Sequence, residues 1–257
     1  MRWYRDHQNL VLGVAGVLGF IVLWQLAAIL GLVNTVFTSS PVGVFNAALR
    51  EGSTGGVWLA TSVTIREFLI GFGVSALVGI PVGIMVGWYR LAYGLLNPFI
   101  SALYAVPRLA LLPIFVLWFG IGMQSRLALV FSVALLPIIV NTALGIRMLE
   151  QSWIRVARSF GANDAQIFRT VALPGSVPNI LGGLRIGVGQ GMVAVIASEL
   201  FIGREGLGGL LNWYGASFLM AELMFVIILV AALGIAVVAG LARIEKQFEC
   251  WRPSVQE

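Results

Sequence analysis

The sequence is poor in the side chains that enzymes and metal proteins most often use. Its 257 residues include one cysteine, Cys250, one histidine, His7, and one lysine, Lys246. A disulfide within the chain is therefore excluded, and so is a metal site that needs several Cys or His ligands. The one available histidine base is near the start of the sequence, so only carboxylate or serine chemistry stays open for an enzyme.

Charged residues are also scarce. They make up 11% of the chain, against 59% hydrophobic residues, and the mean hydropathy is +0.96. A soluble domain has about 25% charged residues, because water must solvate its surface. The apolar runs are long and continuous, unlike the short alternating segments of a membrane β-barrel. We therefore predict an all-α integral membrane protein.

The apolar runs predict about six transmembrane helices, since one crossing takes about 20 apolar residues. The first run is too long, and too poor in small residues at a cleavage site, for a signal peptide. Residues 34–56 are rich in Thr, Ser, Pro and Gly and are predicted to form a loop. Residues 1–257 are predicted to form a single transmembrane domain, whose helices are expected at about 10–32, 61–88, 97–119, 127–146, 178–201 and 221–241.

The basic residues predict the orientation in the membrane. Placing both termini in the cytoplasm puts ten loop or terminal Arg and Lys residues there and three on the other side, which are Arg50, Arg126 and Arg204. This asymmetry follows the positive-inside rule, and an even number of crossings agrees with it. We expect a multi-pass protein of a bacterial inner membrane, with the N- and C-termini cytoplasmic.

Glycine is frequent within the hydrophobic runs. Two pairs, Gly83 with Gly87 and Gly183 with Gly187, have the four-residue spacing that lets helix backbones approach closely in a membrane. The pattern indicates helix packing within this chain or, alternatively, a face between two subunits.

The most informative polar segment lies between the fourth and fifth runs. Residues 150–160 read as a short amphipathic helix, and Gly161 is placed to end it in a left-handed conformation. Asn163 and Gln166 have the spacing of a capping box, which predicts a second short helix that ends at Leu173–Pro174. One face of this helix–turn–helix is apolar, so we expect a partner or the membrane surface to cover it.

The same segment resembles the EAA loop of ABC importer permeases, which docks on the cytoplasmic ATPase subunit. Arg155 departs from the family, which usually has Glu there. The resemblance implies a coupling loop over residues 147–176, with the docking residues Arg155, Ala157, Arg158, Gly161, Ala162, Phe168, Leu173 and Pro174.

The wider sequence resembles the nitrate/sulfonate/taurine branch of these permeases. Matching stretches include residues 79–83, 113–122, 137–142 and 205–208. The resemblance implies a type I importer fold, two permease subunits in an expected homodimer, two ATPase subunits and a solute-binding protein outside. The solute would be a small anion such as nitrate, taurine, another sulfonate or bicarbonate.

No phosphate-binding G-x-x-x-x-G-K-[ST] motif is present, because the single lysine lies between Glu245 and Gln247. We therefore expect ATP and Mg²⁺ to bind the partner ATPase, and no cofactor or metal, catalytic residue or nucleic-acid partner for this chain.

Several residues are candidates for the solute pathway. Pro107 and Pro113 interrupt the third run, and broken helices are tolerated where they line a cavity. Ionisable groups in a bilayer often mark a pathway. The two interpretations of Glu199 are a gate or ion-paired residue and a solvated residue at the interface. Those of Arg185 are contact with an anionic solute, pairing with a carboxylate, and extension to the headgroups. The candidate set is Pro113, Asn141, Arg185 and Glu199, with helix–helix hydrogen bonding as the alternative use of Asn141.

Two other functions are compatible with a membrane protein of this composition. An ion-coupled secondary transporter usually has internal repeats and a relay of acidic residues near the midplane, and neither pattern is visible. A membrane-embedded enzyme needs a cluster of catalytic side chains, and no such cluster is apparent. Neither alternative explains the polar helix–turn–helix.

Overall fold

The computed structural model describes residues 2–203 and 205–246, and in those ranges nearly every residue is helical. Arg204 and residues 247–257, which include Cys250, Arg252 and part of the predicted polar tail, lie outside the described residues. The helices are α1 Arg2–Ile29, α2 Thr35–Thr38, α3 Pro41–Thr54, α4 Gly56–Trp88, α5 Arg90–Ala105, a 3₁₀ turn Arg108–Leu111, α6 Leu112–Phe119, α7 Met123–Arg147, α8 Gln151–Ser159, α9 Asp164–Ile167, a π turn Phe168–Ala172, α10 Leu173–Ile202, α11 Gly206–Ala216 and α12 Met220–Lys246.

Five stretches in the described ranges are long and apolar enough to cross a membrane, or six if one bent pair of helices counts as a single span. The pair is α5 with residues 108–119, and it turns by 90°. Val106 is extended because the ring of Pro107 disfavours a helical conformation in the preceding residue. The predicted third helix therefore begins at Arg90 rather than near residue 97, and its break at Pro107 is confirmed.

Helix α7 lies at the centre of the bundle between α4 and α10. A stripe of small residues on α4, Gly71, Gly79, Gly83 and Gly87, faces α7 so closely that added side chains would overlap it. A Cβ on Gly83 would lie 2.6 Å from the Cβ of Thr142. The small-residue spacing thus serves packing within this chain, where small residues let membrane helices approach.

By contrast, α1 and α12 present large apolar side chains to the outside. None of the residues in the most apolar window of α1 is buried, and 6% are buried in that of α12. A water-soluble monomer rarely exposes apolar patches of this extent, whereas lipid tails cover them without cost. This exposure agrees with a membrane protein.

The predicted loop at residues 34–56 is instead helical. The side chain of Asn34 accepts a hydrogen bond from the N–H of Val36 and begins α2. Ser40 caps α3 through Gly43 N–H, with Pro41 at the first helical position. The composition was misleading because the same Ser, Asn and Pro residues that favour turns also start helices.

Residues 205–208, one of the stretches that resemble the permease family, include the start of α11 at Gly206. Leu207 is fully buried, and Tyr214 on the same helix is 2% exposed. Burial raises the pKa of the Tyr214 hydroxyl above its ordinary value, and a hydrogen bond with Glu51 raises it further. The α11 helix is therefore a packed part of the bundle.

Candidate functional site

The turn between α8 and α9 is built by backbone rules that act over a few residues. Gly161 has φ +78°, a left-handed conformation that favours glycine. Its N–H donates to the Arg158 carbonyl at 2.9 Å, and the N–H of Ala162 donates to the Ala157 carbonyl at 3.1 Å. These two bonds form a Schellman motif, which ends α8 with its last carbonyls satisfied.

The second helix begins as the sequence predicts. The side chain of Asn163 accepts from Gln166 N–H at 2.9 Å, and the Gln166 side chain accepts from Asn163 N–H at 2.8 Å. This is a complete capping box. Arg158 also pairs with Asp164 at 3.3 Å, but both side chains are exposed, so the pair adds little stability. The motif and the capping box fix the angle between α8 and α9.

The end of the second helix was predicted incorrectly. Helix α9 does not stop at Leu173–Pro174. It continues through the π turn into α10, so that residues 164–202 form one apolar helical stretch and the fifth helix does not begin near residue 178. Pro174 has no N–H for the Thr170 carbonyl, and the Leu173 N–H donates instead to Phe168, five residues earlier. The wider turn accommodates the proline without ending the helix.

The predicted docking residues separate into two groups. Arg155, Arg158 and Gly161 are exposed, with Ala157 and Ala162 partly covered beside them. Next to them Phe160, which the docking set omitted, is 88% exposed. The remaining three, Phe168, Leu173 and Pro174, are partly buried at the base of the helix pair.

The base of the helix pair is held against α4. The ring of Phe168 meets Trp88 edge-on, with the ring centroids 5.3 Å apart, and Ile167 beside it is 1% exposed. Edge-to-face aromatic contacts of this kind stabilise packing. Phe168 therefore anchors the helix pair to the bundle and leaves the exposed turn to meet a partner.

A buried polar cluster lies at the opposite end of the bundle. The Glu199 side chain is fully buried and accepts hydrogen bonds from Thr64 Oγ1 at 2.8 Å and from Gly208 N–H at 2.8 Å. Thr64 Oγ1 in turn accepts from Leu207 N–H at 2.9 Å. A Cβ on Gly206 would overlap the Glu199 carboxylate. Glu199 therefore joins α4, α10 and α11 through buried hydrogen bonds.

Sequence reasoning missed the second half of this cluster. Arg126 was expected in a loop, but it lies in the first turn of α7 and is 4% exposed. Its Nη2 atom is 2.9 Å from Oε1 of Glu67, which is buried well inside α4, and 3.8 Å from Oε2 of the exposed Glu205. An arginine beside a long apolar run was the available signal, since such residues are usually paired.

The other predicted pathway residues have different surroundings. Asn141 donates to the carbonyl of Pro137 in its own helix at 2.8 Å. Pro113 lines an apolar groove of about 580 Å³ that also includes Phe201. Arg185 is exposed on α10. Among the described residues no group of three His, Cys, Asp or Glu side chains is placed to hold a metal ion.

Comparison with known proteins decides the family. Residues 79–247 match the model of the binding-protein-dependent transport system inner membrane component. The chain belongs to this family. The permease is 32% identical to the taurine transport system permease protein TauC of Escherichia coli, across 99% of this chain and 94% of that protein. It is 33% identical to the putative aliphatic sulfonates transport permease protein SsuC of the same organism, across 92% and 90% of the two chains.

A solved structure gives the fold. The permease matches a chain of the inward-facing MetNI methionine ABC transporter with a TM-score of 0.59 and 22% sequence identity, covering 76% of this chain and 95% of that one. The predicted type I ABC importer fold is therefore confirmed. The chain is an inner-membrane ABC importer permease of the binding-protein-dependent class.

Proposed function

We propose that this permease moves a small sulfonate-like anion inward, driven by an ATPase that docks on the α8–α9 turn. Support for the solute comes from TauC and SsuC, whose names give taurine and aliphatic sulfonates. Both kinds of solute carry a sulfonate group. Nitrate and bicarbonate belong to the same class of small oxyanions and are the nearest alternatives.

The observation that carries the coupling proposal is the exposure of Phe160 at the tip of a rigid turn. A large aromatic side chain that is 88% exposed in a polar segment is typical of an interface anchor. The apolar face of α8 adds Trp153 and Val156, which are 42% and 56% exposed. A groove on the ATPase would cover these side chains.

The continuous backbone explains how docking would move the transport helices. From Asn163 the chain runs through the π turn into α10 without a loop. A displacement of the turn by closure of the ATPase dimer would therefore tilt α10 directly. Rigid-body motions of this kind connect the two states of a transporter.

The proposed assembly contains two permease subunits, expected to be identical, two ATPase subunits and an extracytoplasmic binding protein. ATP and Mg²⁺ would bind the ATPases, and this chain itself would make and break no covalent bond. Both termini would be cytoplasmic, which places the α8–α9 turn on the ATPase side. The coupling loop of residues 147–176 would be the contact surface within the single domain of residues 1–257.

Co-purification in mild detergent with the ATPase encoded in the same cell tests the coupling. Removal of the Phe160 ring should weaken docking by about 2 kcal/mol, roughly 30-fold, if the ring is a buried anchor. Folding should be unaffected, because the ring is exposed in the free chain. Phe45→Ala is the matched control, since Phe45 is 64% exposed on α3, away from the turn.

Loss of the ATPase from Phe160→Ala alone is the expected result. Equal recovery with both variants would remove Phe160 from the interface. If the wild-type chain recovers no ATPase, the coupling proposal fails, and uptake driven by ion gradients should be measured instead. Gly161→Asp is a less specific probe, because φ +78° makes any side chain there a backbone change as well.

A further inference from the structure

A cavity of about 350 Å³ lies beside the break in the third span. Its polar lining comes from Arg108 and Gln190, and its walls include Val106, Val133 and Val193. Val133 is near the middle of α7, about 15 Å along the helix from Met123 at 1.5 Å per residue. Since the hydrocarbon core is about 30 Å thick, the cavity lies near its midplane.

The Arg108 side chain is held in this cavity by three helices. Its Nη1 donates to the Val133 carbonyl at 3.0 Å and approaches Gln190 Oε1 at 3.4 Å, and its Cζ lies 4.8 Å from the centre of the Tyr104 ring. The Val133 carbonyl can accept this bond because Pro137, four residues later, has no N–H to donate. The break in the α7 hydrogen-bond ladder thus positions the guanidinium.

The charge of Arg108 is not neutralised within the described part of the chain. No Asp or Glu oxygen there lies within 4 Å of it, in contrast to the buried Arg126. Both hydrogen bonds use Nη1, whereas a guanidinium has five N–H donors on three nitrogen atoms. An unneutralised cation at this depth is costly, so such residues usually serve a solute or ion pathway.

We propose that this cavity is a transient anion-binding site in the transport pathway, with Arg108 as its charged contact. The planar fork of a guanidinium matches two oxygens of a sulfonate or similar oxyanion. The valine walls suit the short apolar part of an alkyl sulfonate. The cavity volume is about ten times the roughly 30 Å³ that one water molecule occupies in the liquid. This inference rests on the proposed function and assigns the site at which the anion crosses the midplane.

The cavity opens on the surface of the single chain, where Val106 is 38% and Leu109 is 45% exposed. An anion could therefore enter and leave without unfolding the helices. The polar part of the site is small, which favours weak and brief binding. A transport site needs this property, because the solute must also leave.

The competing explanation is that Arg108 only replaces the missing donor for the Val133 carbonyl. Three variants separate the two roles. Arg108→Gln removes the charge, Arg108→Lys keeps it, and the double variant Arg108→Gln/Pro137→Ala restores a backbone N–H to Val133. If Arg108 has only a structural role, Pro137→Ala should restore transport to the Arg108→Gln variant. If Arg108 binds the anion, Pro137→Ala should not restore transport, and Arg108→Lys should keep part of the wild-type rate.

The experiment uses the full complex of permease, ATPase and binding protein in proteoliposomes. Uptake of radiolabelled taurine, methanesulfonate and bicarbonate is measured, and the anion that the wild type transports is the probe. Arg108→Gln should lower the maximal rate at least tenfold with little change in KM, because the binding protein captures the solute. Arg243→Gln, which removes an exposed arginine near the end of α12, outside the coupling loop and the cavity, is the charge-matched control and should transport normally.

Wild-type rates in Arg108→Gln, or full rescue by Pro137→Ala, would overturn the assignment while leaving the importer function intact. If the ATPase binds but the wild type transports none of the three anions, the proposal of an anionic solute is wrong. The proposal that the cavity binds an anion is then wrong as well. If no ATPase binds, the proposed function itself has failed, and so has any inference built on it.

Discussion

The buried pair of Arg126 and Glu67 allows a quantitative prediction about stability. Their side chains are 5% and 3% exposed, and the charged atoms are 2.9 Å apart. Arg126→Met leaves the carboxylate of Glu67 without its partner, and breaking a buried pair in this way costs about 3–5 kcal/mol. Glu205 lies 3.8 Å from the same nitrogen but is 73% exposed, so its contribution should be small.

The melting temperature in detergent, followed by tryptophan fluorescence at one heating rate, measures the effect. For a chain of this size a loss of 3–5 kcal/mol corresponds to roughly 6–20 °C. The double variant Glu67→Met/Arg126→Met should recover most of this loss, since an apolar pair of similar volume is often neutral or stabilising. Arg158→Met, which breaks the exposed pair with Asp164, is the control and should shift the temperature by less than about 4 °C.

The ranking of the variants by melting temperature tests the role of this pair more firmly than the absolute temperatures do. If Arg126→Met melts with the wild type, the pair does not stabilise this end of the bundle. If the double variant melts below Arg126→Met, the two side chains are not coupled through their charges. Either result would contradict the reasoning from burial and distance.

Two further predictions concern packing and capping. Gly83→Ala should lower the melting temperature, because its Cβ would lie 2.6 Å from that of Thr142, whereas Gly73→Ala, with open space around it, should leave the melting temperature unchanged. Equal melting temperatures for the two would show that the α4–α7 contact is looser than described. Asn163→Ala should lower the free energy of unfolding by about 1 kcal/mol, because it removes the helix cap. It should also reduce ATPase co-purification, because the capping box orients the α8–α9 turn. Normal co-purification would show that the turn keeps its angle without the cap.

The local features of the α8–α9 turn were predictable because their causes act within a few residues. A left-handed backbone at Gly161 and reciprocal bonds between Asn163 and Gln166 depend on the chain immediately around them. Pro174 shows the limit of such rules. A proline can end a helix or widen one turn of it. In this chain the turn before Pro174 is widened into a π turn, and the packing of Ile167 and Phe168 holds the helix together there.

The sequence by itself determined the membrane location, the presence of five or six apolar spans and the form of the exposed turn, because composition, run length and local hydrogen bonding decide these. Tertiary structure alone decided what the embedded polar residues do. Thr64 meets Glu199 across 135 residues of sequence, and Arg108 meets Gln190 across 82. A polar side chain in an apolar run is equally compatible with an ion pair, a helix contact or a solute site, and only the positions of its neighbours in the folded bundle separate these roles.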